Sequence, residues 1–270
     1  MTMVRSAFML VLLGLVGACD TGRNEALEVR VYGEAYIEEG LPADIFVDGW
    51  SLRYEKFLVS VGGVAVAQQG SAPGLEVKEF QVFDLTRASD GAGQVVASEL
   101  VSLGRYDDTR FTIAPDPAAT AGNATDADLK LMVDGGFSVY AAGTATKGGE
   151  RKRFAWGFAT HTDYSACESL AEVRGGQPGV VQLTIHGDHL MYDDLYSETP
   201  NVTFELIAAA DTDGDGEVTR AELLAVDLRP LANYQVGSTD IVDLWHFIEH
   251  LTTTLGHIDG EGHCEATRAS

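Results

Sequence analysis

The chain reads as a mainly β protein: an antiparallel β-sandwich over residues 27–186, then a small α-helical module over 201–264. Two observations predict this. Short segments that alternate apolar and polar residues fill the first two thirds, with turn chemistry between them. Helical periodicity, by contrast, is concentrated beyond residue 200. A chain of 270 residues is long enough to bury one large core or two modest ones.

The strands follow in order. Residues 27–36 alternate as Leu27-Glu-Val-Arg-Val-Tyr-Gly-Glu-Ala-Tyr36, the pattern of a strand with one face buried. Ser51–Val66 repeats it with a break at Gly62-Gly63, and Glu79–Leu85, Arg105–Ala114 and Phe137–Thr146 continue it. Lys147-Gly-Gly-Glu150 is a good hairpin turn into Arg151–Thr160, and Val180–Ile185 closes the series. Ala114–Asp128, rich in Gly, Ala and Pro, reads as an exposed loop. Residues 187–200 read as a linker. The pattern of Phe80–Leu85 and Gly104–Ile113 resembles the immunoglobulin-like or transthyretin-like sandwich domains of bacterial lipoproteins.

The last helix has the clearest periodicity. Ile241, Leu244, Trp245, Ile248, Leu251 and Leu255 share one face, with Ser238-Thr-Asp240 as the expected N-cap and Gly256 as the stop. His246 and His250 lie opposite that face.

Asp211-Thr-Asp213-Gly-Asp215-Gly216-Glu217-Val-Thr219-Arg-Ala-Glu222 carries the most specific chemistry. A hard cation such as calcium takes six to eight oxygens, and carboxylates at alternating positions can wrap it. The segment resembles the twelve-residue loop of EF-hand calcium proteins, with acids at positions 1, 3, 5 and 12 and Gly216 at position 6. That resemblance covers about 202–227. It implies side-chain ligands from Asp211, Asp213 and Asp215, the backbone carbonyl of Glu217, an oxygen from Thr219, and both oxygens of Glu222. Flanking helices are expected over 204–210 and 221–226. Thr219-x-x-Glu222 is also a capping box, the bland reading of the same residues. EF-hands usually come in pairs, and no second loop is found. Asp259-Gly-Glu-Gly262 is acidic and turn-like but lacks the ligand spacing. A single loop favours a structural calcium, with the last helix covering its apolar side.

Residues 1–18 form an export signal: Arg5, the apolar run Ala7–Val16, then small residues before Cys19. Leu15-Val-Gly-Ala-Cys19 resembles the lipobox of bacterial lipoproteins, in which the cysteine is lipidated and becomes the new N-terminus. That implies a protein held on a membrane of the bacterial cell envelope, with 19–26 as the anchor linker and the choice of inner or outer membrane open. In that oxidising compartment Cys167 and Cys264 are expected to form a disulfide, the alternative being Cys264 as a soft metal ligand. Residues 265–270 read as a tail.

Net charge excludes one class of partner. Without Arg5 the chain has 17 basic against 41 acidic residues, or −24, so it has no affinity for nucleic-acid phosphates. A protein or glycan ligand for the sandwich remains the expectation, unspecified in kind.

Seven histidines all fall at or after residue 161. His186-x-x-His189 has a spacing that can converge on one ion, and with His257 and His263 it forms the alternative reading: a zinc or copper site joining the linker to the tail. Hydrogen-bonded structural histidines are the bland counterpart. His246-Phe-Ile-Glu249-His250 is similar to the H-x-x-E-H zinc motif of inverzincin peptidases, which would make His246 and His250 ligands and Glu249 the base. That family takes a third ligand far downstream and a larger α+β domain, so no enzyme activity is expected.

Overall fold

The computed structural model describes residues 24–269. The leader 1–18, Cys19 and most of the 19–26 linker lie outside the described residues. The protein is mainly β, with 44% strand and 17% helix.

The first half supplies strands β1 (Asn24–Tyr32), β2 (Ser51–Ala67), β3 (Pro73–Val77), β4 (Gln81–Asp84), β5 (Gln94–Ser102), β6 (Gly104–Tyr106), β7 (Asp108–Ile113) and β8 (Thr120–Ala121). The second half supplies β9 (Val139–Lys147), β10 (Glu150–Phe158), β11 (Thr162–Cys167), β12 (Ala171–Val173), β13 (Gly179–Ile185), β14 (Glu217–Val218), β15 (Gly256–Ile258) and β16 (Glu265–Arg268). Helices are short: α1 (Glu34–Glu38), α2 (Asp126–Gly135), α3 (Glu205–Ala209), α4 (Arg220–Ala225) and α5 (Leu244–Leu251).

Two sheets dominate. One has the order β15-β13-β1-β5, and the other runs β14-β10-β9-β2-β7-β11-β16, with β3 and β4 also pairing with β2 and β8 pairing with β4. Strand β1 buries alternate residues, as its sequence predicts. Leu27, Val29 and Val31 of β1 and Val181, Leu183 and Ile185 of β13 are fully buried. They join Phe57, Val59 and Val61 of β2 in one hydrophobic cluster. Each such side chain contributes about 1.5–3 kcal/mol on leaving water.

The pairing is not wholly antiparallel, which corrects the expectation. β1 pairs with β13 in parallel, Leu27 opposite Gly179 through Tyr32 opposite Thr184. β14 also pairs in parallel with β10. Parallel neighbours need a long crossover, and here nearly the whole chain between residues 32 and 179 supplies it.

Segment 201–264 does not stand apart as a helical module. It contributes β14 to one sheet and β15 to the other, while Leu244, Phe247 and Leu251 of α5 share the common core. The expected linker at 187–200 is likewise not exposed throughout. A 3-10 turn at Asp188–Met191 buries all four of its residues.

Local signals explain the remaining differences. Ala114–Asp128 is expected as an exposed loop, yet helix α2 begins inside it. Thr125 caps that helix in a reciprocal box with Asp128, and Gly136 ends it in the left-handed conformation. Met132 then packs on Leu58 and Val82. In α5 the cap is Asp243, whose side chain accepts from the His246 N–H, rather than Ser238–Asp240. Residues 252–254 continue as a 3-10 turn, so the helix has already ended before Gly256, which opens β15.

Cys167 and Cys264 are disulfide-bonded, with Cα atoms 4.1 Å apart. Cys264 is therefore no metal ligand. The bond ties the end of β11 to the segment just before β16, whose strand pairs with β11.

Candidate metal centres

His186 leaves the end of β13 and His257 sits in β15, the antiparallel neighbour, where it faces Thr184. His189 follows on the buried 3-10 turn. The three imidazoles converge: ring centroids are 4.4 Å apart for His186–His257, 5.0 Å for His186–His189 and 5.3 Å for His189–His257. His263 is exposed, with its ring 6.0 Å from that of His257. Two overlapping groups have ligand atoms all within 4.8 Å of one another: His186, Asp188 and His189, and His186, His257 and Glu261.

The parallel β1–β13 pair brings in a carboxylate from the other end of the sequence. Glu34 follows β1 by two residues, as His186 lies two beyond the last paired residue of β13. Glu34 Oε2 accordingly lies 3.4 Å from His186 Nδ1. Its backbone has φ 53°, a left-handed conformation uncommon outside glycine. Gly187 allows the close approach on the other side, since a Cβ there would stand 2.5 Å from Ile37 of α1. The Tyr54 hydroxyl donates to the Gly187 carbonyl at 2.6 Å and fixes the turn.

Surrounding groups orient these side chains. A carbonyl can only accept, so His189 Nδ1 donates to Thr254 O at 2.9 Å, leaving Nε2 with its lone pair. This is the arrangement that holds metal-ligating histidines in one tautomer. The Tyr192 hydroxyl donates to Asp188 Oδ2 at 2.8 Å. Asp188 Oδ1 and His257 Nδ1 are buried and have no hydrogen-bond partner among the described residues. Orphaned buried polar atoms are rare and call for a reason.

The cluster keeps two of its imidazoles, His189 and His257, neutral. Burial, then the neighbouring His186 and His257, push His189 down to about 3. Burial and His186 push His257 down to about 4. Asp188 and Glu34 are both raised, first by burial. Neutral imidazole is the form that binds a metal, so His189 and His257 would need no proton removed near pH 7 to serve as ligands.

The calcium-type loop lies elsewhere, between α3 and α4. Asp211, Asp213 and Glu222 bring ligand atoms within 4.8 Å of one another. Gly216 takes φ 82°, the turn its position requires. Asp211 accepts from the Gly214 N–H at 2.8 Å and the Gly216 N–H at 2.9 Å. The Glu217 side chain turns outward to Arg153 at 2.9 Å, which suits a residue expected to offer only its carbonyl. Asp215 stands outside the triad and accepts from Glu217 N–H at 2.7 Å. Thr219 and Glu222 form the capping box, the bland reading of that pair. The loop is paired with β10 through Arg153 N–H to Gly216 O at 2.8 Å.

One cation already faces the loop. Lys152 Nζ lies 2.8 Å from Asp211 Oδ2 and holds that carboxyl below its usual range. Arg220 stacks on Trp245 at 4.9 Å and joins α4 to α5.

The H-x-x-E-H residues each have a neighbour of their own. His246 Nδ1 is held by Asp243 at 2.8 Å, and Glu249 faces Arg268 at 3.4 Å. His250 stands near the ring of Tyr196.

Sequence reasoning found His186, His189 and His257 but missed Glu34, Asp188 and Glu261. Asp188 lies inside the His186-Gly-Asp-His189 run and Glu261 inside the acidic turn at 259–262, so weak local signals existed. Glu34 carries none. Comparison with protein-family models, curated proteins and solved structures finds no match.

Proposed function

We propose that this is a metal-binding protein of the bacterial cell envelope, anchored by lipid on Cys19, with zinc or copper held at the histidine cluster. The observation that carries this reading is the convergence of three imidazoles from two strands and a buried turn, with unpartnered buried Asp188 Oδ1 and His257 Nδ1 among them. Imidazole with carboxylate suits zinc and copper. The body that presents the cluster is an immunoglobulin-like or transthyretin-like β-sandwich, and its role is binding, without turnover.

A second metal class has its own support. The triad Asp211, Asp213 and Glu222 around the Gly216 turn fits calcium, held as a structural staple in an EF-hand-type loop. Because the loop pairs with β10, an ion there ties α3 and α4 to the large sheet.

Elemental analysis of the purified protein, dialysed against micromolar calcium, zinc and copper together, tests both readings. Calcium together with zinc or copper is expected. Calcium alone overturns the histidine reading, and zinc or copper alone, with no calcium even at millimolar concentration, overturns the loop reading.

A further inference from the structure

We infer that the histidine cluster holds two transition-metal ions, bridged by the imidazole of His186. This rests on the reading of the cluster as a transition-metal site and states its nuclearity.

His186 belongs to both ligand groups, and each edge of its ring faces a different one. Nδ1 points at the inner group, 3.4 Å from Glu34 Oε2 and 4.0 Å from Asp188 Oδ1. Nε2 points at the outer group, 3.4 Å from the carbonyl of Gly260, the residue before Glu261. A neutral ring has one N–H and one lone pair, so one of its edges necessarily turns a lone pair toward oxygen acceptors. A proton or a metal ion between nitrogen and oxygen satisfies that edge, and the geometry offers an acceptor oxygen to both edges.

The inner position is closed. His186, His189 and Asp188 are all more than nine-tenths buried, and the orphaned Asp188 Oδ1 is aimed toward the ring. His189 offers Nε2, because Nδ1 is taken by Thr254. The outer position is open. His257 is partly buried, Glu261 is exposed, and exposed His263 stands next in line. Its turn is nevertheless fixed: Asp259 accepts from Gln182 N–H at 3.0 Å and Leu170 N–H at 2.8 Å, and the Gly260 N–H donates to Thr184 Oγ1 at 2.9 Å. A four-coordinate inner ion is completed by His186, His189, Asp188 and Glu34, whereas the outer ion retains room for water or an exogenous ligand. When the second ion binds, the remaining ring proton of His186 passes to solvent, and both nitrogens coordinate.

The test is zinc stoichiometry of the full chain by native mass spectrometry and elemental analysis, with calcium kept at millimolar excess to occupy the loop. Two zinc ions per chain are expected, falling to one in His189→Ala and to one in Glu261→Gln. His186→Ala should lose both. One zinc in the unaltered protein overturns the paired centre and leaves the single-ion reading standing; none overturns both. Two zinc ions that persist in His186→Ala overturn the bridge. A measurement without substitutions guards against a misfolded variant. With two equivalents of copper(II), an imidazolate bridge couples the spins and suppresses the electron paramagnetic resonance signal at low temperature. Two full, independent copper signals would overturn the proposal.

Discussion

The ammonium of Lys152, on strand β10, lies 2.8 Å from Asp211, the first carboxylate of the calcium-type loop. Asp211's side chain has no exposure, and Lys152's is 13% exposed, so the ammonium sits directly on the carboxylate. An intramolecular cation therefore competes with calcium for one of the loop's main ligands. Lys152→Met should raise calcium affinity by roughly tenfold, since a competing charge at contact distance is removed. Titration calorimetry on the two proteins checks it; equal affinities would remove Lys152 from the account.

Glu222 has two tasks that one substitution separates. Its carboxylate closes the capping box of α4 and offers oxygen to calcium. Glutamine serves in a capping box as glutamate does, but supplies no charge and no bidentate carboxylate. Glu222→Gln should leave the calcium-free melting temperature nearly unchanged while abolishing the rise that calcium produces. At a hundredfold excess over Kd that rise reflects about 2.7 kcal/mol. A rise that survives the substitution would sink the loop assignment.

The histidine cluster makes the metal-free protein sensitive to acid. His189 and His257 take up protons at about 3 and about 4 in the fold, but near 6.5 in the unfolded chain. Below 6.5 the unfolded state thus binds more protons at these positions, and stability falls as pH falls through that window. The groups facing them are His186, His263, Asp188, Glu34 and Glu261. Asp188 and Glu34, raised by burial, act in the opposite direction as they gain protons. His189→Gln should therefore flatten the decline in melting temperature between pH 7 and pH 5. An unchanged slope would mean that His189 is not held neutral.

Reducing the disulfide should loosen both stability and metal binding. It closes a separation of 97 residues, for which the chain-entropy model gives about 4–5 kcal/mol. It also anchors the segment that carries Glu261 and His263 between β15 and β16. Cys167→Ser with Cys264→Ser should lower the melting temperature and weaken zinc binding by roughly tenfold, the lower end of what a lost supporting contact does to a metal site. Thermal melts and a competitive zinc chelator read the two effects separately.

The β content was legible because alternation is a local property. Ser51–Val66, Phe137–Thr146, Arg151–Thr160 and Val180–Ile185 were each read within a few residues of strands β2, β9, β10 and β13. Helix α2 was not, although its capping signal at Thr125 and Asp128 was present. Asp128 stands where glutamate or glutamine marks the usual box, and the surrounding Gly, Ala and Pro argued for a loop. Strands β5 and β11 were missed as well. In β5, Glu99 and Leu100 are both exposed, so the period-2 pattern is weak.

Sequence alone carried the alternating strands, the acid spacing of residues 211–222, the expectation of a Cys167–Cys264 disulfide, and His186, His189, His257 and His263 as candidate ligands. Tertiary structure alone decided which of them meet. Strand β1 alternates as an antiparallel strand does, so nothing local marked its parallel pairing with β13. The direction of the β1–β13 pair carries Glu34 and His186 out at the same end of the sheet, 3.4 Å apart. An antiparallel pair would have sent them to opposite ends.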